Sequence, residues 1–435
     1  MSDTESLRGR VASELTRARD RTLALADAVD EPDLVRQHSP LMSPLVWDLA
    51  HVGNQEELWL VRDVGGRDPV RTDIDALYNA FENPRADRPR LPLLGPAEAR
   101  QYVRTVRDKA LDVLDRAPMS GEPMTEQGFT FGMVVQHEQQ HGETMLATHQ
   151  LRAGDPVLAA PAPQAPTEPV DDTAETVVPG GPFVMGTSTE PWALDNERPA
   201  HTVTVPGFAI DTVPVTNRRY AAFVADGGYR DRRWWTAAGW AYRTEADLRM
   251  PMHWHDDGSY TLFGRRERIV PDEPVLHVCW YEAAAFAVWA GRRLPTEAEW
   301  EKTARFDPAT GRSRRYPWGD DDPTVRHANL GQRHLRPARV GSYPDGRSAL
   351  GVRQLVGDVW EWTSSDFTAY PGFVTFPYRE YSEVFFGPTY KVLRGGSFGT
   401  DPAACRGTFR NWDLPVRRQI FAGFRCARDL RVEEH

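Results

Sequence analysis

FGMVVQHEQQHGETMLATHQLRAG, residues 131–154, carries two histidines four positions apart, His137 and His141, in a run with apolar positions such as Val134 and Met145. The run predicts a helix from Phe131 to Arg152, with Ala153-Gly154 as its stop. An i,i+4 spacing sets both imidazoles on one face, one turn apart, where a single metal ion reaches both. Two histidines on a helix face are more often ordinary side chains. On an apolar helix, however, a buried imidazole pair without partners is costly. A metal ion is the better reading.

Working outward, Val11, Leu15, Ala18, Thr22, Leu25 and Val29 form one apolar stripe of a first helix. Ser43-Pro44 reads as N-cap and first-turn proline of a second, which carries Leu45, Leu49, Val52 and Trp59. Ala99, Val103, Val106, Ala110, Val113 and Ala117 mark a third, ending before Pro118. With the helix of His137 and His141 these predict a four-helix bundle over residues 1–154. A third metal ligand should come from another bundle helix, and His51 sits mid-helix in an apolar run. Asp48 and Glu143 are acceptors suited to holding the ligand imidazoles. Three neutral imidazoles leave open positions on the metal but do not choose between iron, zinc, copper and nickel.

The string also fits H-E-x-x-H, the zinc-protease signature. Its extended form fails at Thr144 and Ala147, and only a Pro-rich stretch with Glu168 follows. That reading is the weaker one. Residues 155–176 hold Pro156, Pro161, Pro163, Pro166 and Pro169 without periodicity, and read as a semi-rigid linker. From residue 177 to 435 the texture changes to short β-branched and aromatic runs broken by Gly and Pro. One or two helices interrupt them, most clearly Tyr281–Trp289 and Thr296–Arg305. The whole is an α+β chain.

Hydrophobic residues make up 40% of the 435, ample for two cores, and the formal net charge of −10 argues against nucleic-acid or anionic-membrane partners. No run of about 18 apolar residues suggests a membrane span. The N-terminus has no apolar core of a secretory signal. Three cysteines, Cys279, Cys405 and Cys426, fit a reducing cytoplasm better than a disulfide scaffold. Only Lys109, Lys302 and Lys391 are lysines among 52 Lys and Arg residues. Residue type alone therefore gives little support to a functional arginine.

Beyond the bundle, several short stretches occur in order: Val178 to Gly186 (VPGGPFVMG), Pro214-Val215-Thr216-Asn217, Gly291 to Glu301 (GRRLPTEAEWE), Gly357 to Trp362 (GDVWEW), Leu393 to Ser397 (LRGGS) and Gly423-Phe424-Arg425. The set resembles formylglycine-generating-enzyme domains, which have a C-type-lectin-like fold. The N-terminal part, with His51, His137, His141 and Glu143, resembles DinB-like bundles. The pairing is similar to the hercynine-dependent sulfoxide synthases of ergothioneine biosynthesis, over essentially the full chain.

The resemblance implies an enzyme with Fe(II) held by His51, His137 and His141, acting on hercynine, γ-glutamylcysteine and O2, with no obligate protein partner. Pro84 to Arg88 and Asn411 to Arg417 match its thiol-substrate segments, comprising Arg85, Ala86, Asp87, Arg88, Asp413 and Arg417. The thiol's two carboxylates and ammonium suit Arg85, Arg88, Arg417 and Asp413. Hercynine's quaternary ammonium favours an aromatic face, for which Trp412 is expected, with Gln140 and Asn411 as polar contacts. Tyr378 and Tyr381 match the tyrosines near the iron, as catalytic residues. Cysteine as the thiol, and histidine in place of hercynine as in ovothiol-type synthases, stay open. A formylglycine generator needs a cysteine pair for copper, and only Cys405 follows Ser397.

Overall fold

The computed structural model describes residues 3–430; residues 1–2 and 431–435, the outer ends of the two expected domains, lie outside the described residues. Two compact units emerge. One comprises Met1–Leu158 with Glu190–Trp192, the other Ala159–Thr189 with Ala193–His435.

The first unit holds α1 (Asp3–Asp27), a short α2 (Glu31–Val35), α3 (Leu45–Glu56), α4 (Pro96–Leu114) and α5 (Phe129–Leu151). The stripe Val11, Leu15, Ala18, Thr22 and Leu25 is buried as its spacing requires. α1 packs on α5, and α3 on both α4 and α5. α5 is buried around most of its circumference, the mark of an interior helix. Gly132 lets Trp192 lie against it, since a Cβ there would come 2.3 Å from the indole.

Three details differ from expectation. The N-cap of α3 is Pro44, with no side-chain cap, while the Ser43 hydroxyl accepts a hydrogen bond from Arg88 Nη1 at 2.5 Å. α3 runs directly into a π-helix over Glu57–Val64 that carries Trp59. α2, five residues opened by an Asp30 cap, is too short to show periodicity.

The second unit contains β1 (Glu175–Val178), β2 (Gly181–Met185), β3 (His201–Val205), β4 (Phe208–Asp211), α6 (Asn217–Ala225), α7 (Ala237–Glu245), β5 (Ser259–Leu262), β6 (Arg265–Arg268), α8 (Trp280–Trp289), α9 (Glu297–Arg305), β7 (Phe306–Asp307), β8 (Arg312–Ser313), β9 (Trp360–Phe367), β10 (Gly387–Arg394), β11 (Asn411–Asp413), β12 (Ala422–Gly423) and β13 (Ala427–Asp429). The strands form a three-stranded sheet β1-β4-β13, a four-stranded sheet β11-β10-β9-β12 and three two-stranded pairs, β2-β3, β5-β6 and β7-β8. β12 runs parallel to β9, and the other pairs are antiparallel. α8 and α9 match the two helices expected. α6 and α7, nine residues each and opened by Thr216 and Thr236 caps, were not anticipated because so short a helix shows barely two turns of pattern.

The motifs read from the sequence interlock here. Thr296 caps α9 in a box with Glu299. One turn apart on α9, Glu297 and Glu301 take the two arms of Arg394 from the LRGGS stretch, each at 2.7 Å. Arg410 Nε also reaches Glu297 at 2.7 Å. Glu361 of GDVWEW accepts from Arg425 at 2.6 and 2.7 Å and from the Trp300 indole at 2.8 Å. Arg394, Arg410 and Arg425 are at most 1% exposed. Buried charges persist only when paired and hydrogen-bonded, so each of these arginines depends on its glutamate partner.

Candidate functional site

His51 comes from α3, and His137 and His141 from α5. One ring nitrogen of each lies within 4.8 Å of the others. His51 Nδ1 is 2.8 Å from the Tyr78 carbonyl oxygen, which only accepts, so that nitrogen carries the proton and Nε2 the lone pair. His141 Nδ1 likewise donates to Asp48 Oδ1 at 2.9 Å. Burial, then the neighbouring His141 and His137, hold His51 well below the ordinary imidazole value. Burial and His141 do the same to His137. His51 and His137, held neutral beside a His141 whose Nδ1 is tied to Asp48, are ligands in the form a metal needs.

A second observation fits a cation. Asp48 is fully buried, and its Oδ2 has no hydrogen-bond partner among the described residues. A buried carboxylate with one oxygen unsatisfied is costly; positive charge at the imidazoles, to which Asp48 is directly bonded, offsets that cost. The residues present therefore fit a divalent metal.

Glu138, one residue from His137, turns away. Arg19 reaches it at 2.7 Å and Arg107 at 3.0 Å, and both arginines also bind Glu56. The carboxylate that a zinc protease would use as its base is locked into a buried ion-pair node joining α1, α3, α4 and α5. That removes the physical basis of the protease reading.

The loop before α4 supports the triad. Trp47 stacks on His51, ring centroids 4.5 Å apart and 15° from parallel. Arg88 lies 3.4 Å over the Trp47 ring, with Nε on the Asn83 carbonyl at 3.0 Å. Burial, moderated by Asp48, brings the Arg88 guanidinium down to about 10. Arg85 is half-buried and spends one N–H on the Leu41 carbonyl at 3.0 Å; Ala86 is exposed, and Asp87 is bonded by Arg90. Gln140 and Glu143 are half-buried on α5.

In the second unit Tyr378, Tyr381 and Trp412 form one aromatic run. Tyr378 meets Tyr381 edge-on at 6.1 Å, and Tyr381 meets Trp412 at 6.2 Å. Phe367 stacks on Trp412 at 4.0 Å. Asn411 Oδ1 accepts from the Trp412 N–H at 2.9 Å. Asp413, at the end of β11, and Arg417, four residues on in the following loop, pair at 3.4 Å. Burial, then Asp195 and Glu380, push the Tyr378 phenol well above its ordinary value, so it stays protonated at neutral pH.

Residues 14–145 match the DinB superfamily, and residues 161–430 match the sulfatase-modifying factor enzyme 1-like domain. The hercynine oxygenase of Mycolicibacterium thermoresistibile is 55% identical, over 97% of this chain and 95% of its own. That of Mycobacterium tuberculosis is 53% identical over 97% and 99%. The chain belongs to the hercynine oxygenase family. It is accordingly an oxygenase built from a DinB-like helical unit and a mixed helix and sheet unit related to formylglycine-generating enzymes. The formylglycine-generating enzyme of Streptomyces coelicolor shares 36% identity over 62% of this chain and 96% of its own.

Within this hercynine oxygenase family member the thiols give no cysteine pair. Cys279, Cys405 and Cys426 are buried and in no disulfide among the described residues, and Cys405 donates to the Gly395 carbonyl at 3.2 Å. Among the described residues no helix is long and apolar enough to cross a membrane. Sequence reasoning missed the supports of His51. Trp47 was visible in principle, as the i,i+4 partner of His51. The Tyr78 carbonyl was not, because a loop carbonyl leaves no residue-type signal.

Proposed function

We propose that the protein joins hercynine to γ-glutamylcysteine with O2, giving γ-glutamyl-hercynylcysteine sulfoxide, the sulfoxide-synthase step of ergothioneine biosynthesis. An imidazole C–H and a thiol S–H bond break, and C–S and S–O bonds form. The second oxygen atom leaves as water with the two hydrogens, so one O2 balances both oxidations. The convergence of His51, His137 and His141, with Nδ1 of two of them tied back, carries the reading.

The metal is Fe(2+), held by those three histidines. When bound, it supplies open coordination positions and the electrons that O2 chemistry needs. Asp48, Tyr78 and Trp47 fix the ring orientations. Arg85, Arg88, Asp413 and Arg417 meet the charges of the thiol substrate, aided by Ala86 and Asp87 lining the same segment. Of the arginines Arg85 is the better partner for a carboxylate, since Arg88 is committed to Trp47, Ser43 and Asn83. Trp412 offers an aromatic face to the trimethylammonium, with Gln140 and Asn411 as polar contacts. Tyr378, protonated at neutral pH, delivers the proton that steers oxidation toward C–S bond formation, with Tyr381 beside it. Reaction in the cytoplasm suits three cysteines that form no disulfide among the described residues.

The test is anaerobic reconstitution with Fe(II), then mass spectrometry of the products of each thiol and imidazole pairing under O2. Hercynine with γ-glutamylcysteine should give the sulfoxide fastest. Faster turnover with cysteine or with histidine overturns the substrate assignment, and turnover without iron overturns the metal.

A further inference from the structure

The segment bearing Tyr378 and Tyr381 lies in a turn-rich stretch between β9 and β10. It is held at both ends by one carboxylate. Asp195 Oδ2 accepts the Phe376 N–H at 3.3 Å, and Oδ1 accepts the Ser382 hydroxyl at 2.5 Å. Asn196 Nδ2 donates to the same hydroxyl at 2.9 Å. Asp195 is 3% exposed and Ser382 fully buried. Only five residues separate the two anchor points, and they include both tyrosines.

The carboxylate itself sits on a rigid shelf. Asp195 opens a single 3₁₀ turn, Asp195–Glu197, within which Glu197 accepts from Arg406 Nε at 2.8 Å, Thr408 Oγ1 at 2.6 Å and the Leu194 N–H at 2.9 Å. A buried, hydrogen-bonded ion pair of this kind has a single geometry. Asp195 thus joins a turn fastened by this ion pair to a segment that has no strand or helix ladder of its own.

We infer that Asp195 is a positioning residue for Tyr378: by fastening Phe376 and Ser382 it fixes the orientation from which the phenol gives up its proton. This rests on the role proposed above for Tyr378. Asp195 is also, after burial itself, the first influence keeping that phenol protonated, so one group sets both where the proton is and where it points.

The experiment compares Tyr378→Phe, Asp195→Ala, Ser382→Ala and the double variant Tyr378→Phe with Asp195→Ala, all as iron-loaded full-length enzyme. The readout is the ratio of thiol sulfinate to sulfoxide at matched O2 consumption. Asp195→Ala should raise that ratio by about tenfold, the factor equivalent to one charge-assisted hydrogen bond. Ser382→Ala should shift it in the same direction, and the double variant should match Tyr378→Phe alone. An Asp195→Ala ratio equal to wild type, while Tyr378→Phe diverts product, overturns the inference and leaves the tyrosine's role intact. Additive diversion in the double variant also overturns it, since Asp195 would then act by another route. If Tyr378→Phe itself leaves the ratio unchanged, the role of the tyrosine fails, and this arm identifies that failure on its own. Should Asp195→Ala not fold, Ser382→Ala, which removes a single hydroxyl from the segment side, decides by the same ratio.

Discussion

The two units bury charge in opposite ways. In the bundle, Arg19, Glu56, Arg107 and Glu138 meet in one node where four straight helices touch. In the second unit Arg394, Arg410, Arg425 and Arg406 fasten loops and short strands to Glu297, Glu301, Glu361 and Glu197 at many separate points. Regular helices bring one ring nitrogen of each of His51, His137 and His141 within 4.8 Å of the others. The short strand β11 carries Trp412, and loops fastened by polar side chains carry Tyr378 and Arg417, the groups proposed for substrates and proton. Position comes from backbone regularity in one unit and from paired charge in the other.

The largest effect expected tests the bundle. His51→Ala, His137→Ala or His141→Ala should abolish iron binding and turnover while the far-UV spectrum stays wild-type, because a missing imidazole leaves the helix ladder untouched. A His51→Ala protein that holds one iron per chain and turns over would refute the triad. Glu138→Gln makes the sharper contrast. It should lower stability, yet leave turnover per folded molecule near wild type, whereas a protease base would lose activity outright.

In the second unit, Glu297→Gln leaves Arg394 and Arg410 short of a buried partner, and should cost about 3–5 kcal/mol in chemical denaturation. The same carboxylate predicts acid sensitivity. Burial raises the pKa of Glu297, but Arg410 and Arg394 outweigh it and hold the group below the ordinary value. Its stabilisation is therefore complete above the unfolded value of about 4.3 and disappears as pH falls through the lower folded value. The melting temperature of wild type should drop on acidification below that point, and Glu297→Gln should flatten the drop.

Smaller changes probe how each unit serves the site. Arg85→Ala should raise the Michaelis constant for γ-glutamylcysteine ten- to hundred-fold, about 1.5–3 kcal/mol. An unchanged constant removes Arg85 from thiol binding. Asp48→Asn keeps the shape but trades the carboxylate that orients His141 for an amide, and should weaken iron affinity by about 10–100-fold in a chelator titration.

What the sequence made legible follows the same division. Apolar periodicity located α1, α3, α4 and α5, because long helices repeat their pattern often enough to be seen, and the i,i+4 histidines fell on one that is buried around most of its circumference. In the second unit periodicity found only α8 and α9. There the legible signal was motif: the ordered stretches contain Glu297, Glu301, Glu361, Arg394 and Arg425, and the structure joins these in an ion-pair lattice. Asp195 escaped both signals. It lies about 180 residues from the segment it fastens, and no spacing rule links the two.

The smallest effect separates two helix starts that look alike in sequence. Ser43-Pro44 before α3 reads as a cap and is not one, whereas Thr296, read as the first residue of its helix, caps α9, its Oγ1 accepting the Glu299 N–H at 3.2 Å. Thr296→Ala should cost about 1 kcal/mol through the loss of that cap, spread over the stability of the second unit with no change in iron affinity. Ser43→Ala should cost a similar or smaller amount by a different route. Its hydroxyl receives Arg88 Nη1, and Arg88 in turn covers the Trp47 ring that stacks on His51. Loosening that stack leaves α3 intact but frees the ring of one proposed ligand. The measurable signature is a faster loss of iron to a chelator at a melting temperature close to wild type. An iron-loss rate equal to wild type in Ser43→Ala would mean that the Arg88–Trp47–His51 stack packs the bundle without steadying the metal.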